Sequence, residues 1–371
     1  MFNEFMNTQK KNRVSLLVTL VTGAMLVGCG TPAAQSPAGG AAAILVNGSG
    51  STFVQPLIEN LAFTYKQVDS SVQINYSGGG SGQGKKDILA NTVDFAGSDA
   101  ALTDAEFAQK PLQQLPIIAG AEVLIYNLSE LKDPLVLDGA TAAGIYVGKI
   151  EKWNDPAIAK LNPGVTLPDK AINVVHRSDG SGTTNIFTLY LTAVSPDWVN
   201  TVKPSAGTTV DWPVDKLKRG QGGKGNQGVA AAVKQTAGAI GYVELAYGVN
   251  NKIPFTKLVN AAGKTVEASP ASTTAAMKGV QFSERLTANI VNSSDAEAWP
   301  ISGFTYVVLN KDYADCAKAE KLLKWVDWTL TNKDAQDHAT KLLYAVLPAD
   351  AVSKAEAALK QITCKGTVVL K

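Results

Sequence analysis

The sequence predicts an α/β fold with a mostly parallel sheet, divided between two domains. A chain of 371 residues is long for a single domain and suggests two. Short apolar runs alternate with segments of helical spacing, and loops rich in glycine, serine and threonine join them. In parallel sheets such loops lie at the carboxyl ends of the strands, where ligands bind. We therefore expect a ligand site built from these loops.

The N-terminus is predicted to be an export signal rather than part of the fold. Lys10, Lys11 and Arg13 precede an apolar run at 16–27, which is short for a membrane span. The run ends in Leu26-Val27-Gly28-Cys29, which resembles the bacterial lipobox. In lipobox proteins this cysteine is lipidated and becomes the new N-terminus, whereas a chance cysteine would stay unmodified.

These features predict an exported, lipid-anchored protein at the periplasm or cell surface. We expect a signal peptide at 1–28, followed at 29–43 by the lipidated Cys29 and a flexible tether of small and polar residues. The first 28 residues hold three of the 34 basic and one of the 32 acidic residues, so 31 of each remain. Such neutrality argues against a nucleic-acid partner. An anion site would have to be local and built from backbone amides.

Two further cysteines, Cys316 and Cys364, are predicted to form a disulfide, because an even pair in an exported protein favours one. A loop of roughly 50 residues would contribute about 4 kcal/mol to the free energy of unfolding. Two free buried thiols remain the alternative. The cysteines lack zinc-site spacing and only His176 and His338 offer imidazole, so we expect no metal and no cofactor.

The first part of the fold is predicted to alternate strands and helical segments. The strands are expected at 44–46, 72–76 and 93–99, and the helical segments at 54–65, at 85–90 and after the capping-box pattern Thr103-Asp104-Ala105-Glu106. A second part begins near residue 122. It is predicted to contain strands at 122–126, 172–175, 238–243 and 306–309, an amphipathic segment at 280–291, and helices at 184–194, 322–330 and 351–362.

The loop Arg177-Ser178-Asp179-Gly180-Ser181-Gly182-Thr183 is the main candidate for a binding site. It links the strand at 172–175 to the helix at 184–194, and the first amides of a helix form a seat for an oxyanion. Arg177 would add a positive charge with a planar fork suited to two oxygens. Asp179 is predicted to hold Arg177 in place or to serve as a turn residue, and the two roles are compatible. An ordinary turn with a serine or threonine N-cap is the alternative for the loop as a whole.

Two more loops of the same composition strengthen the prediction of an anion site. They are Asn47-Gly48-Ser49-Gly50-Ser51-Thr52-Phe53 and Ser77-Gly78-Gly79-Gly80-Ser81-Gly82-Gln83-Gly84. Three such loops could surround one tetrahedral oxyanion with backbone amides and hydroxyls.

The catalytic motifs that these loops resemble each lack an essential residue. The segment at 79–85 has the spacing of a phosphate-binding Walker A loop, but Lys86 stands where serine or threonine should bind magnesium. Neither Ser81 nor Ser181 lies in a Gly-x-Ser-x-Gly elbow. His176 precedes Arg177 on a strand, so the two side chains should point to opposite faces and leave a serine hydrolase without its base.

The ordered motifs of the chain resemble the phosphate-binding proteins of bacterial Pst-type ABC importers. The similarity extends over nearly the whole mature chain and rests on the following stretches: Gly48-x-Gly50-x-Thr52-Phe53, Gly80-Ser81, Ala90-Asn91-Thr92-Val93-Asp94-Phe95, Ser98-Asp99, Gly148-Lys149-Ile150-x-x-Trp153-Asn154-Asp155, Arg177-x-Asp179-Gly180-Ser181-Gly182-Thr183, Gly223-Lys224-Gly225-Asn226 and Gly238-Ala239-Ile240-Gly241-Tyr242-Val243-Glu244. The charged residues at 215–219 depart from the family pattern and are expected to be a surface insertion.

The resemblance implies a two-lobed periplasmic-binding-protein fold of type II, in which two α/β lobes joined by a two-strand hinge close on dehydrated phosphate. One lobe would comprise 44–117 and 303–371, and the other 118–302, with hinge crossings near 118–122 and 299–302. The implied phosphate contacts are Thr52, Phe53, Ser81, Asp99, Arg177, Ser181, Gly182 and Thr183, with Asp179 as the partner of Arg177 rather than a direct contact.

The function implied is that of a monomeric, non-enzymatic receptor that passes inorganic phosphate to a membrane ABC permease and its ATPase subunits. A receptor for another oxyanion, such as sulfate or molybdate, is the alternative within the same class. An exported phosphatase or other hydrolase is the alternative from a different class. Asp99 favours phosphate, because an ionised carboxylate only accepts hydrogen bonds and sulfate brings no proton. Asp99 could also simply cap the following helix or turn.

Overall fold

An eight-stranded mixed sheet organises the structure, a computed structural model that describes residues 42–371. The predicted signal peptide, Cys29 and the tether up to residue 41 lie outside the described residues. In chain order the strands are β1 Ile44–Gly50, β2 Val72–Gly78, β3 Phe95–Ser98, β4 Leu112–Tyr126, β5 Val136–Leu137, β6 Asn173–Arg177, β7 Gly220–Gly223, β8 Ala239–Glu244, β9 Lys257–Val259, β10 Thr265–Val266, β11 Ser302–Asn310, β12 Asp312–Tyr313, β13 Thr363–Cys364 and β14 Thr367–Val368.

Helices connect these strands, and one of them begins with the capping box that the sequence predicts. Thr103 forms a capping box with Glu106, and proline occupies the first turn of several other helices. The helices are α1 Gln55–Val68, α2 Ser81–Leu89, α3 Asp104–Gln109, α4 Gly139–Val147, α5 Pro156–Leu161, α6 Gly182–Val194, α7 Pro196–Thr201, α8 Pro213–Lys216, α9 Gly225–Gln235, α10 Leu245–Asn250, α11 Pro270–Ala276, α12 Cys316–Thr331, α13 Lys333–Lys341 and α14 Ala349–Leu359.

The large sheet has parallel strands at both ends and antiparallel strands in the middle. Its strand order is β2-β1-β3-β11-β4-β8-β6-β7. β2, β1 and β3 pair in parallel, as do β8, β6 and β7, whereas the pairs β3–β11, β11–β4 and β4–β8 are antiparallel. The sequence pattern suggested a mostly parallel sheet, and the antiparallel centre arises because β4 and β11 run against their neighbours.

Strand β4 joins the two halves of the sheet. Its sequence is a nearly continuous apolar run, which is typical of a strand buried on both faces. From Leu112 to Ala121 it pairs with β11, and from Glu122 to Tyr126 it pairs with β8. The change of partner at Glu122 falls within the range 118–122, where the resemblance implies the first hinge crossing.

Some predicted element boundaries differ from the structure. The amphipathic segment at 280–291 contains no helix or strand, although Leu286 and Ile290 are buried. Its apolar residues therefore pack as irregular backbone on the core, which periodicity alone cannot distinguish from a helix. Helix α2 begins at Ser81, inside the predicted loop, and β11 begins at Ser302, four residues before the predicted strand. The long pairing of β11 with β4 explains that extension.

The predicted disulfide is present in the structure. Cys316 begins α12 and Cys364 ends β13, with their Cα atoms 5.4 Å apart and an S–S distance of 1.98 Å. The bridge fastens α12 to the small sheet of β12, β13 and β14.

A cluster of aromatic side chains fills the core beside β6 and β8. Tyr146 of α4 lies edge-on to Phe187 of α6 and near Tyr242 of β8, with ring centroids 4.6 and 6.1 Å away. Edge-to-face pairs of this kind add to the energy gained from burial. The cluster supports the end of β6, where Arg177 lies. No helix within residues 42–371 has the length and apolar character needed to cross a membrane.

Candidate functional site

Loops that follow five strands, drawn from two parallel sets that run in opposite directions, meet at one place in the structure. β1, β2, β3, β6 and β7 all end there, and α1, α2, α6 and α9 begin there. The Gly82 amide donates a hydrogen bond to the Gly180 carbonyl at 2.9 Å. Asn226 donates to Thr52 Oγ1 from its backbone at 3.1 Å and from Nδ2 at 2.9 Å. These bonds join loops from the two halves of the sheet, so the site is enclosed.

Asp99 is buried at the centre of this cluster, directly after β3. The hydroxyl of Ser51 lies 2.7 and 2.6 Å from its two carboxylate oxygens, and Thr305 of β11 donates to Oδ1 at 2.7 Å. Ser81 is more distant, at 3.3 Å from Oδ2. Burial raises the pKa of Asp99, while these hydroxyls and the charge of Arg177 oppose the rise. The structure therefore places a carboxylate inside a set of hydroxyl donors.

Arg177 lies at the end of β6 with its side chain almost entirely buried. Its Nε and Nη2 atoms donate to the two carboxylate oxygens of Asp179 at 2.8 and 2.5 Å, and Nη1 donates to Thr183 Oγ1 at 3.0 Å. The Gly225 amide also donates to Asp179, at 2.9 Å. Burial alone would raise the pKa of Asp179, but Arg177 and these hydrogen bonds hold it below its ordinary value. Asp179 thus fixes the guanidinium, as predicted.

Helix α6 begins at Gly182 and presents its first turn to the same cluster. Ser181 is the N-cap, and its Oγ accepts a hydrogen bond from the Thr184 amide at 3.0 Å. Ser181 can cap α6 while the helix start binds an anion, because one side chain cannot accept hydrogen bonds from all the free amides of a first turn. The positive end of the helix dipole is therefore directed at the enclosed site.

Two glycines allow the loops to approach this closely. A Cβ on Gly182 would lie 2.5 Å from Ser81 Oγ and 2.6 Å from Asp99 Oδ2. Gly80, before α2, has a φ of +91°, and a Cβ there would lie 2.2 Å from Asp179 Oδ2. Any side chain at either position would force the two halves of the site apart.

The first loop is held through its backbone. Tyr247 of α10 donates to the Thr52 carbonyl and Tyr344 to the Phe53 carbonyl, each at 2.6 Å. The Phe53 amide donates to Ser51 Oγ at 3.0 Å. The structure thus brings together all nine residues that the sequence proposed for the site, namely Thr52, Phe53, Ser81, Asp99, Arg177, Asp179, Ser181, Gly182 and Thr183.

Three residues of the cluster were not predicted as site residues. Ser51 and Thr305 donate to Asp99, and Asn226 bridges Thr52 and Thr183. Ser51 and Asn226 lie inside stretches that the sequence comparison had already matched, so a closer inspection of those motifs could have found them. Thr305 lies within an apolar strand without a local signal, and only the pairing of β11 with β3 brings it to Asp99.

His176 is not placed to act as a base for Ser181. Its Nε2 atom lies 2.8 Å from Asp215 Oδ1 and its Nδ1 atom 3.0 Å from the Arg177 carbonyl, while its ring stacks on Trp212. Residues 215–218 are exposed, as expected of a surface insertion. Arg219 is half-buried and donates to the Gly148 carbonyl at 2.6 Å, so the charged segment is fastened at both ends.

The arrangement is suited to a small, compact anion. Hydroxyls and amides surround the cluster, Arg177 supplies a buried positive charge, and Asp99 supplies an acceptor for a proton on the ligand. A bulky ligand would not fit, because Gly180, Gly182 and Ser81 already lie in contact across the cluster.

Comparisons with known proteins identify relatives of this chain. A family model described as a PBP superfamily domain matches residues 31–333. The phosphate-binding protein PstS of Xylella fastidiosa (strain 9a5c) is 41% identical over 317 residues, covering 85% of this chain and 84% of that protein. The phosphate-binding protein PstS of Pasteurella multocida (strain Pm70) is 40% identical over 318 residues, covering 85% and 90%. The X-ray structure of a human phosphate-binding apolipoprotein superposes with a TM-score of 0.68 at 22% identity, covering 84% of this chain and 93% of that one.

Proposed function

The chain belongs to the PBP superfamily and to its family of PstS phosphate-binding proteins, and we propose that it binds inorganic phosphate. Its α/β periplasmic-binding-protein fold is the one predicted. In this proposal the protein captures phosphate outside the cytoplasm and delivers it to a membrane ABC permease with its ATPase subunits. It acts as a monomeric receptor and not as an enzyme.

The proposal rests on two buried side chains of opposite charge, Arg177 and Asp99, that lie together among hydroxyl and amide donors. Arg177 offers a fixed guanidinium and α6 its first-turn amides, which favour an oxyanion. Asp99, surrounded by the hydroxyls of Ser51, Ser81 and Thr305, would repel an anion that carries no proton. Inorganic phosphate carries at least one proton near neutral pH, whereas sulfate carries none, so phosphate fits both groups.

The proposed phosphate contacts are those of the sequence comparison. Four of these contacts follow strands of the first half of the sheet, namely Thr52, Phe53, Ser81 and Asp99. The other four lie at the end of β6 or at the start of α6 in the second half, namely Arg177, Ser181, Gly182 and Thr183. We propose that the two halves act as lobes, 44–117 with 303–371 and 118–302, that close on the ligand about crossings near 118–122 and 299–302. The change of pairing partner in β4 at Glu122 supports a hinge at the first crossing.

The location of the protein completes the proposal. A signal peptide at 1–28 would direct export, and a lipid on Cys29 would keep the receptor beside its permease through the tether at 29–43. This anchor, the permease and its ATPase subunits are inferred from the sequence motifs and from the family.

Isothermal titration of ligand-free protein with phosphate, sulfate and arsenate tests the function. We expect one phosphate per chain, no measurable heat with sulfate, and no turnover of a chromogenic phosphate ester. Arsenate is an oxyanion that is also protonated at neutral pH, so its titration shows whether the site distinguishes phosphate from a second protonated oxyanion. Equal binding of sulfate would favour a general oxyanion receptor, and ester turnover would favour a hydrolase.

A further inference from the structure

Glu122 is a fully buried carboxyl group whose two oxygens accept no hydrogen bond from residues 42–371. Only its backbone is engaged: its amide donates to the Ile301 carbonyl at 2.8 Å, and its carbonyl accepts from Trp299 Nε1 at 2.8 Å. It lies on β4 where the strand changes partner from β11 to β8. A buried carboxylate without donors is costly, so the position requires an explanation beyond packing.

The charged groups that act on Glu122 are those of the proposed phosphate site. Arg177, at the end of β6, attracts its negative charge, and Asp99, after β3, repels it. The phenols of Tyr146 on α4 and Tyr242 on β8 are also influenced by its charge. Glu244 is its pairing partner on β8 and is also buried. One of its carboxylate oxygens accepts from the Ala246 amide at 2.9 Å, the other accepts no hydrogen bond within residues 42–371, and burial raises its pKa as well.

The charges in this region do not balance if every carboxyl is ionised. Arg177 and Asp179 neutralise each other, and burial raises the pKa of Asp99, a rise that its three hydroxyl partners and Arg177 only partly oppose. An ionised Glu122 would add a negative charge with no donor, beside a site that must accept an anion. Burial raises the pKa of Glu122 well above its ordinary value, and Arg177 only partly opposes the rise.

We propose that Glu122 takes up a proton from solvent when the site binds phosphate, so that it links the affinity for phosphate to pH. This inference rests on the proposed function, since it concerns the same site. The negative charge of bound phosphate stabilises the protonated carboxyl, and by reciprocity the protonated carboxyl strengthens binding of phosphate. The affinity should therefore fall as the pH rises through the range in which the carboxyl of the free protein ionises.

The test is to measure the Kd for phosphate between pH 5.5 and 9.5 in the wild type and in Glu122→Gln. Phosphate titrates identically with both proteins, so the ratio of wild-type to variant Kd isolates Glu122. We expect this ratio to be flat at low pH and then to rise by up to about tenfold per pH unit. Titration calorimetry in buffers of different ionisation enthalpy should show more proton uptake per phosphate in the wild type, by up to one proton.

Two further variants separate a titrating role from a structural one. Glu122→Asp keeps a carboxyl and should restore the pH dependence, whereas Glu122→Met should remove it and serves if the glutamine variant folds poorly. Glu244→Gln is the matched control on the facing strand and should keep the wild-type dependence. Equal pH profiles and equal proton uptake in the wild type and Glu122→Gln would overturn the inference. Loss of the pH dependence in Glu244→Gln, with the dependence kept in Glu122→Gln, would also overturn it.

A measurement without phosphate separates this inference from the proposed function. A carboxyl whose pKa is raised in the folded protein destabilises the fold as the pH rises from about 4.3, its unfolded value, to its folded value. The denaturation midpoint of the wild type should therefore fall relative to that of Glu122→Gln over this range. If the wild type binds no phosphate at any pH, the proposed function fails, and this comparison still shows whether Glu122 holds a proton.

Discussion

Arg177 and Asp99 show how single residues define the chemistry of this site. Arg177 is fixed by a residue two positions away, so its orientation is a local property of one loop. Asp99 depends on hydroxyls from three other segments, so its environment exists only in the folded protein. In the proposed function, Arg177 attracts the anion and Asp99 accepts a proton that the anion carries.

Replacing Arg177 with alanine should weaken phosphate binding severely. Truncating one partner of a buried, charged hydrogen bond typically costs 2–5 kcal/mol, which corresponds to an increase in Kd of about 30-fold to several thousandfold. The first-turn amides of α6 would remain, so some binding should survive. Titration calorimetry measures the change, and Arg219→Ala, which alters an arginine held by the Gly148 carbonyl, is the control. An unchanged Kd in Arg177→Ala would place Arg177 outside the site.

Replacing Asp99 with asparagine should admit sulfate. The amide can donate to an unprotonated oxyanion, whereas the carboxylate can only accept. The variant should keep phosphate binding with altered affinity and gain measurable sulfate binding in competition titrations at neutral pH. Asp94→Asn, at the opposite end of β3, is the control and should still exclude sulfate. If Asp99→Asn rejects sulfate as completely as the wild type, the carboxylate is not the filter.

At the scale of elements, helix starts build the site and strands bring the helices together. α1, α2, α6 and α9 begin where β1, β2, β6 and β7 end. Within each half of the sheet the parallel strands direct their carboxyl ends to one side, and because the two halves run in opposite directions these ends face each other across the site. The antiparallel strands β4 and β11 lie between the two parallel sets, and β11 contributes Thr305 to the centre of the cluster.

The Cys316–Cys364 disulfide should stabilise the fold without affecting the site. It closes a loop with a sequence separation of 48 residues, for which the chain-entropy model gives about 4 kcal/mol of unfolding free energy. The double variant Cys316→Ser and Cys364→Ser should lose stability of this order in urea denaturation and retain its Kd for phosphate. Cys29→Ser alone keeps the bridge and is the matched control. Quantitative alkylation of both cysteines in the unreduced wild type would contradict the bridge.

At the scale of the whole molecule, we propose that residues 1–28 are removed, which would leave a formally neutral chain tethered to the membrane surface. Neutrality leaves recognition of an anion to the local field of Arg177 and the helix starts rather than to bulk charge. A lipid anchor would keep the receptor near its permease, because a tether of 29–43 raises the effective concentration of the bound ligand there.

Cys29→Ser should release the protein from the membrane. Without the lipidated cysteine, the exported chain should move from the membrane fraction to the soluble export pool, which fractionation and immunoblotting would show. Cys316→Ser is the control and should leave the distribution unchanged. A wild-type protein that is fully soluble outside the cytoplasm would contradict the anchor.

Much of the site could be predicted from the sequence because its parts are local. Each loop of glycine, serine and threonine is a continuous stretch, and the Arg177–Asp179 pair spans two residues. The resemblance of ordered motifs supplied the remaining candidate site residues and the two-lobed form of the α/β fold. Local patterns were less reliable for boundaries, as the irregular segment at 280–291 shows, because apolar spacing does not reveal whether the backbone is helical.

The sequence by itself determined the α/β architecture, the three glycine- and hydroxyl-rich loops of the candidate site and the cysteine pair, since each depends on neighbouring residues or on composition. Only the tertiary structure decided which donors surround Asp99, because Ser51 and Thr305 reach it from 48 and 206 residues away along the chain. The same holds for the burial of Glu122, whose isolation from hydrogen-bond donors in the described chain results from strands packed on both sides. Burial and long-range pairing depend on how the whole chain folds, and no short stretch of sequence records them.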